Sequence, residues 1–224
     1  TMSQVQHGSI RYDRSAGKLR LDRRNGIGYG SAVVRPFIDA DNNGVAGKNE
    51  EVLKGLRAKI SGIGGRPTGR GRMFYYDDLR PYDSYTIQVD ATTLDNPLLR
   101  PAYDNFKVSV SPNVVTVVDV PVVIAADISG TVERETQAGK VGVGGILLHV
   151  LNLSKDVITD ITTFSSGQYY YLGLIPGRYR AYLDPAQLDR FGYVAEPHSI
   201  EFDVKPSTTG TSVEHVSFVL RAKP

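Results

Sequence analysis

The sequence predicts an all-β protein of two tandem β-sandwich domains preceded by a short N-terminal β segment. Short runs of β-branched and aromatic residues, bounded by Gly, Pro, Asn and Asp, recur about every ten residues. Amphipathic helical periodicity is hard to find anywhere in the 224-residue chain. A long segment also recurs with the same pattern of residue types, which indicates two copies of one folding unit.

The internal repeat sets the predicted domain boundaries. Residues 79–90, LRPYDSYTIQVD, recur as residues 174–184, LIPGRYRAYLD. Further matches flank this segment: residues 55–60 with 145–150, and residues 108–112 with 202–206. We therefore predict one sandwich over residues 32–123 and a second over residues 124–224.

The Leu-x-Pro turn is the most regular local feature of the repeat. An aromatic strand precedes Leu79 in the first copy and Leu174 in the second, and a Tyr-containing strand follows each turn. Proline at this position presets φ for a tight turn. We therefore expect the two strands that flank each turn to pair as a hairpin.

The N-terminal segment, residues 1–31, is predicted to be a β hairpin or the tail of a preceding domain. Residues 7–12 and 18–22 alternate between apolar and polar side chains, and residues 14–17 between them are turn-prone. Such a hairpin has too few apolar residues to be stable alone, so it would need a partner surface.

Composition excludes several classes of protein. With 41% hydrophobic and 22% charged residues the chain is expected to fold, and a net charge of +2 is too small to predict nucleic-acid binding. The absence of cysteine excludes disulfides and thiolate metal sites. The chain has no apolar run long enough to span a membrane and no signal-peptide pattern at its start.

Catalytic motifs are also missing. The four histidines, at positions 7, 149, 198 and 215, show no metal-binding spacing, and there is no Gly-x-Ser-x-Gly elbow. The glycine clusters lack the Lys-Ser/Thr of a phosphate-binding loop. We therefore expect a protein that is not an enzyme.

Residues 39–50, DADNNGVAGKNE, have the spacing of a twelve-residue calcium loop. A hard cation needs six to eight oxygen ligands, which a short loop supplies by curling around the ion. Gly44 at loop position 6 permits the sharp bend because it takes positive φ without steric cost. The predicted ligands are the side chains of Asp39, Asp41, Asn43 and Glu50 and the carbonyl of Val45. The alternative is a polar turn between two strands, since Asp-Asn-Asn-Gly is also favourable turn chemistry.

The order of these features resembles a known family. A hydrophobic strand, an Asp-x-Asp-x-Asn-Gly loop, a Gly-Leu-x-x-x-Ile strand, an aromatic strand and a Leu-x-Pro-x-x-x-Tyr turn resemble the B-type repeats of bacterial surface proteins (SD-repeat and Cna B-type) and the carboxypeptidase-regulatory-like domains. The resemblance implies a seven-stranded, transthyretin-like (prealbumin-like) sandwich in each copy. It implies a calcium-stabilised spacer or adhesive segment of a larger secreted or surface-anchored bacterial protein.

The resemblance further implies a location at the cell surface or outside the cell, outer-membrane attached or periplasmic.

The sequence departs from the family pattern in two places. Gly47 stands at loop position 9, where family loops carry an acid, so a water would fill that direction. Residues 132–140 of the second copy lack the oxygen spacing, so only the first copy is expected to bind calcium. Some relatives form an internal Lys–Asn crosslink, and Lys59 lies on the matching strand, but the chain has no Glu-x-x-Ala-Pro-x-Gly-Tyr segment, so the crosslink is not expected.

A binding module is the alternative function, with a glycan or a host or surface protein as its partner. Its candidate residues lie in a basic stretch and beside glycines or in longer loops. They are Arg66, Arg70, Arg72, Tyr29, Tyr103 and Tyr193. A third alternative is a pair of accessory domains of a larger outer-membrane protein or enzyme. In each case the remainder of a larger polypeptide is an expected partner.

Overall fold

The computed structural model describes residues 9–13, 18–22, 27–61, 63–64, 66–68, 73–137 and 139–223. Strands follow one another along these residues, with one α-helix and one 3-10 helix among them, so the all-β prediction is confirmed. The chain divides into two compact units. Unit 1 comprises residues 1–39, 43–97 and 101–122, and unit 2 comprises residues 40–42, 98–100 and 123–224.

The strands of the first half of the chain range from two to ten residues in length. They are β1 (Ser9–Asp13), β2 (Lys18–Asp22), β3 (Gly30–Ile38), β4 (Arg57–Ile60), β5 (Ile63–Gly64), β6 (Arg66–Thr68), β7 (Met73–Leu79), β8 (Ser84–Asp90), β9 (Leu99–Pro101), β10 (Asn105–Ser109) and β11 (Val115–Ile124). A 3-10 helix at Ala91–Thr93 follows β8. Strands β1 and β2 pair antiparallel, as the alternation of the two segments predicts.

Apart from the β1–β2 pair, unit 1 is built on two sheets. One has the order β10-β8-β4-β5, and the other contains β6, β7, β3 and β11 in this order. Side chains in β4 alternate between exposed and buried, which is the period-2 pattern of a strand with one face in a core. Ile60 on β4 and Ile87 on β8 are fully buried, as is Val33 on β3 in the other sheet. The Tyr76 hydroxyl on β7 donates to the Ala58 carbonyl on β4 (2.6 Å) and so joins the two sheets.

The second half of the chain has a similar succession of strands and one helix. They are β12 (Ala126–Thr136), β13 (Gly139–Gly142), β14 (Leu147–Asn152), β15 (Val157–Thr162), β16 (Gln168–Leu174), β17 (Gly177–Leu183), α1 (Pro185–Phe191), β18 (Tyr193–Glu196), β19 (Ile200–Val204), β20 (Ser212–Val213) and β21 (Phe218–Ala222).

Unit 2 also has two sheets around a common core. One has the order β15-β14-β17-β19, and the other runs β13-β12-β21-β18, with β16 and β20 also paired to β12. The inward side chains of both sheets form one buried apolar cluster, to which β12 contributes Ile128, β14 contributes Leu148 and β21 contributes Phe218. Two sheets that share a buried cluster in this way form a β-sandwich.

The two units share their strand order. The sequence β10-β8-β4-β5 of unit 1 corresponds to β19-β17-β14-β15 of unit 2. In the other sheet, β3 pairs antiparallel with β7 and parallel with β11, as β12 pairs antiparallel with β16 and parallel with β21. The sequence repeat matches residues 55–60 with residues 145–150. These two segments overlap the equivalent strands β4 and β14.

The predicted hairpins at the Leu-x-Pro turns are wrong. Strands β7 and β8 belong to different sheets, and so do β16 and β17, so each turn carries the chain from one sheet to the other. A β-bulge just before each turn explains the crossing, because an extra residue bends the strand out of the ladder. The bulge in β7 includes Asp78 at φ 58°, and the bulge in β16 includes Gly173 at φ 148°.

A tyrosine hydroxyl fixes each of these crossings. In unit 1 the Arg80 N–H donates to the Tyr85 hydroxyl (2.7 Å), which donates back to the Arg80 carbonyl (3.2 Å). In unit 2 the Tyr179 hydroxyl donates to the Ile175 carbonyl (2.8 Å), and burial raises the pKa of Tyr179. The tyrosine that follows Leu-x-Pro in each copy therefore closes the corner between the sheets.

Helix α1 is absent from the prediction, although its ends carry recognisable signals. The Asp184 side chain caps the helix by accepting from the Gln187 N–H (2.6 Å), and Pro185 occupies the first turn. Gly192 ends the helix in the left-handed conformation at φ 68°. Seven residues are too few to show helical periodicity, so only the caps mark this helix in the sequence.

Candidate metal centre

The predicted calcium loop, residues 39–50, connects β3 to β4 in the structure. It begins at Asp39, which is buried at 3% exposure, and its backbone N–H donates to the Val122 carbonyl (2.9 Å). Each side-chain oxygen of Asp39 accepts a backbone hydrogen bond, one from the Asn43 N–H (3.0 Å) and one from the Gly44 N–H (2.9 Å). These two hydrogen bonds fold the first part of the loop around the buried Asp39 carboxylate.

Two further side chains shape the rest of the loop. The Val45 N–H donates to Asn43 Oδ1 (2.7 Å), and the Gly47 N–H donates to Glu50 Oε2 (2.7 Å). Gly44 lies at φ 75°, the conformation for which the sequence predicts glycine at loop position 6.

Three of the five predicted ligands meet in this loop. One carboxylate oxygen from each of Asp39, Asp41 and Glu50 lies within 4.8 Å of the other two. Three carboxylates at such a distance repel one another unless a cation or protons compensate. Oxygen donors on a single curled loop are the ligands that Ca²⁺ prefers, so the residues present fit this ion.

Gly47 replaces the acid of family loops at position 9 and lies against Glu50. A Cβ built on Gly47 would lie 3.3 Å from Glu50 Oε2, which is the oxygen that the Gly47 N–H contacts. A backbone amide therefore engages one oxygen of Glu50, the side chain that the sequence predicts as the last ligand of the loop. In unit 2 the equivalent segment forms the β12–β13 hairpin, in which Glu133 pairs with Gly142.

The other predicted binding residues lie on different elements of the described chain. Arg66 lies in β6, and Arg70 and Arg72 lie outside the described residues. Tyr103 is 53% exposed and packs edge-on against Phe106, with ring centroids 5.8 Å apart. Tyr193 lies at the start of a strand rather than in a loop, and its hydroxyl accepts from Arg134 Nη1 (2.9 Å). Tyr29 is 43% exposed and lies in the loop before β3.

Tyr29 belongs to an exposed loop cluster at one end of unit 1 that sequence reasoning missed. Its carbonyl accepts from the Asn113 N–H (2.9 Å), and Asn113 Oδ1 accepts from the Gly28 N–H (2.9 Å). The turn that contains Tyr82 joins the same loops, because the Tyr82 N–H donates to the Val110 carbonyl (2.9 Å). We call residues 27–29, 80–83 and 110–114 the tyrosine loops.

The tyrosine loops expose four large apolar or aromatic side chains beside the polar residues Arg80, Asp83, Ser111 and Asn113. The four are Ile27 (71% exposed), Tyr29 (43%), Tyr82 (78%) and Val114 (49%). Tyr82 has φ 66°, which is a strained conformation for a residue with a side chain of this size. The second copy has Gly177 at the corresponding position after its Leu-x-Pro proline, so the two copies differ in sequence there.

A second missed cluster surrounds His149 on β14. Its Nδ1 lies 2.7 Å from Asp160 Oδ1 on β15, and its Nε2 lies 3.1 Å from Asp184 Oδ2 at the start of α1. Burial alone lowers the pKa of His149, but the hydrogen bonds to Asp184 and Asp160 outweigh this effect and raise it. The hydrogen bonds from His149 and from the Gln187 N–H hold the pKa of Asp184 below its usual range.

Lys59 is exposed on β4, on the face opposite the core. Among the described residues, no lysine is buried.

No described helix is long and apolar enough to cross a membrane.

No protein-family model and no curated protein matches the chain. Among solved structures, it is similar to GBS52, a minor pilin of Streptococcus agalactiae, with 14% identity and a TM-score of 0.43 over 87% of this chain and 98% of the pilin. A streptococcal ancillary pilin has 12% identity and a TM-score of 0.39, over 87% of this chain and 63% of the pilin. The TIE protein of Bacillus anthracis has 17% identity and a TM-score of 0.33, over 86% of this chain and 34% of that protein. At these identities and TM-scores, the function of this chain has to be inferred from its own residues.

Proposed function

We propose that the protein is a non-catalytic, calcium-stabilised spacer or adhesive segment of a larger secreted or surface-anchored bacterial protein. In this proposal the two units are tandem copies of one transthyretin-like sandwich, with their boundary near Val123. The observation that supports the calcium role is the convergence of Asp39, Asp41 and Glu50 within 4.8 Å on one loop. The cell surface, the space outside the cell or the periplasm is the compartment in which we expect such a segment.

The ion would be held by the three carboxylates together with Asn43 Oδ1 and the Val45 carbonyl. Its charge would compensate the repulsion among the carboxylates. The chain prepares the site by itself, since Asp39 and Glu50 already bind backbone N–H groups of the loop. The unfolded chain does not bring these carboxylates together, so calcium binds the folded state selectively and stabilises it.

Calcium is expected to raise the melting temperature of the protein. For a dissociation constant of about 10⁻⁴–10⁻³ M, typical of extracellular calcium modules, calcium at about 10 mM adds about 1.4–2.7 kcal/mol to the free energy of unfolding. This corresponds to roughly 5–10 °C for a unit of this size. Differential scanning calorimetry of the full chain in calcium and in chelator measures the shift.

Glu50→Gln is the matched variant for this experiment. Glutamine keeps an oxygen that accepts from the Gly47 N–H, so we expect its melting temperature in chelator to stay close to that of the wild type. Its response to calcium is expected to be much smaller, because the carboxylate is gone. Asp83→Asn, at an exposed acid outside the loop, should respond like the wild type. A wild-type melting temperature that is the same in calcium and chelator contradicts the calcium role.

The tyrosine loops favour recognition of a glycan as a second candidate function. Backbone hydrogen bonds fix the three loops to one another, and the apolar side chains that they carry are exposed. A rigid, exposed Tyr supplies contact area at a low conformational-entropy cost on binding. The equivalent turn of unit 2 carries Gly177 instead of an aromatic residue, so the shared architecture alone does not require Tyr82.

Tyr82→Gly is expected to remove glycan binding without unfolding unit 1. Glycine relieves the strain at φ 66°, and the side chain that is lost is 78% exposed, so the free energy of unfolding should change by less than about 1 kcal/mol. A glycan array probed with the wild type, Tyr82→Gly and Tyr170→Ala, a 53% exposed tyrosine of unit 2, measures the effect. An array on which the wild type binds nothing, or binds equally after Tyr82→Gly, contradicts this second function.

A further inference from the structure

His149 lies between two carboxylates that belong to different elements of unit 2. On one side Nδ1 is 2.7 Å from Asp160 on β15, and on the other side Nε2 is 3.1 Å from Asp184 at the start of α1. The third group that faces the ring is Tyr182 on β17, with ring centroids 5.2 Å apart. The His149 side chain is 16% exposed. The imidazole on β14 thus contacts one carboxylate on β15 and another at the start of α1.

The number of ring protons decides how many of these bonds exist. A carboxylate is only an acceptor, so each of the two short contacts requires an N–H on the imidazole. The imidazolium has two N–H groups and makes both bonds, whereas the neutral ring has only one. After loss of a proton, the second nitrogen lone pair faces a carboxylate oxygen, and that contact becomes repulsive.

The structure determines which contact is weaker. Asp184 is also held by the Gln187 N–H at its Oδ1 (2.6 Å) and by its own N–H, which donates to the Leu147 carbonyl (2.9 Å). The Asp160 side chain is 60% exposed, and its carboxylate contacts the His149 ring. The Asp160 carboxylate can therefore turn into water at little cost, while Asp184 stays fixed by the helix.

We propose that His149 is a pH-sensitive latch for the edge strand β15. The latch is closed when the ring carries two protons and bonds both carboxylates. It is open when the ring carries one proton and the hydrogen bond to Asp160 is lost. Strand β15 is the edge of its sheet and pairs only with β14 among the described strands. Its exposed Val157 (57%) and Ile158 (49%) give the edge little protection apart from Asp160. Opening the latch therefore loosens an apolar strand edge.

The direction of the pH dependence follows from the hydrogen bonds. The pKa of His149 lies above its ordinary value of 6.5, so the latch is closed below that value and opens as the pH rises through the pKa of the folded protein. The pKa of Asp184 lies below its ordinary value of 3.8, so its bond to His149 persists well into the acid range. The latch is thus closed in mildly acid solution and open in alkaline solution.

Nuclear magnetic resonance of the full-length chain tests the latch without any substitution. The ¹⁵N shifts of His149 report its protonation, and amide-exchange protection factors report the strength of the β15–β14 ladder. Between about pH 5.5 and about pH 8.5, protection in β15 is expected to fall about five- to tenfold, the equivalent of one hydrogen bond of ordinary net strength. Strand β19, the opposite edge of the same sheet, should change by less than twofold or so.

Two variants assign the effect to the latch. Asp160→Asn removes the charge and His149→Gln removes the titration, so in both variants protection in β15 is expected to be independent of pH within about twofold. His215→Gln, at a histidine whose side chain is 94% exposed, should behave like the wild type. Three results would overturn the latch: a neutral His149 at the acid end, equal pH dependence of β15 and β19, or an unchanged pH dependence in Asp160→Asn.

Discussion

Replacing Asp39 by alanine is expected to lower the free energy of unfolding of unit 1 by about 2–4 kcal/mol, even without calcium, and to abolish its response to calcium. The carboxylate is buried and accepts from the Asn43 and Gly44 N–H groups, which the substitution leaves inside the loop without that acceptor. The substitution also removes the most buried of the three clustered carboxylates. Urea unfolding in chelator measures the first effect, and the same titration in calcium measures the second.

Asp39→Asn separates these two roles of the side chain. Asparagine keeps one oxygen acceptor, so the loss in chelator should fall to about 1 kcal/mol, while the calcium response is still strongly reduced. Equal stability of Asp39→Ala and the wild type in chelator would show that the loop does not depend on this carboxylate. A full calcium response in either variant would place the ion elsewhere.

Replacing Gly142 by alanine is expected to destabilise unit 2 by more than about 3 kcal/mol. A Cβ at Gly142 would overlap the Ser166 carbonyl oxygen and lie 3.1 Å from the Gly167 N, and both are backbone atoms. Backbone cannot rotate away as a flexible side chain can, so the turn at residues 164–167 would have to move. That turn is itself hydrogen-bonded, because the Gly167 N–H donates to the Phe164 carbonyl (2.8 Å).

Val141→Ala is the control for Gly142→Ala, since Val141 is the preceding residue of β13 and is 51% exposed. We expect its effect on the unfolding free energy to be within about 0.5 kcal/mol. Calorimetry of both variants, at the transition that belongs to unit 2, makes the comparison. A loss below about 1 kcal/mol for Gly142→Ala would mean that the two backbones separate easily.

The strands and the acidic cluster were predictable because both depend on local spacing. Alternation of apolar residues marks β4 and β14, and the loop spacing alone brings Asp39, Asp41 and Glu50 together. The role of Gly47 was less visible, since its contact with Glu50 depends on how the loop closes after position 9.

The incorrect hairpins show where local spacing fails. A Leu-x-Pro turn looks the same whether it joins neighbours in one sheet or crosses between sheets, and the difference lies in the bulges at Asp78 and Gly173. A bulge is a property of register with the partner strand, which the turn sequence does not contain.

The His149 cluster depends on register as well. Asp160 is opposite His149 only because β14 and β15 pair in one particular register, and Asp184 reaches the ring because a short helix starts there. The conformation of Tyr82 was also hidden, because a tyrosine at positive φ contradicts the ordinary preference of the residue.

The parallel pairing of β3 with β11, and of β12 with β20 and β21, has a mechanical consequence. Tension applied at the start of β3 and the end of β11 pulls these neighbours along their length in opposite directions, so their hydrogen bonds are sheared together rather than unzipped one at a time. The ladder covers residues 31–38 in unit 1, whereas β12 meets β21 only over residues 132–134 and β20 over residues 127–128. Under a stretching force, unit 2 is therefore expected to yield before unit 1.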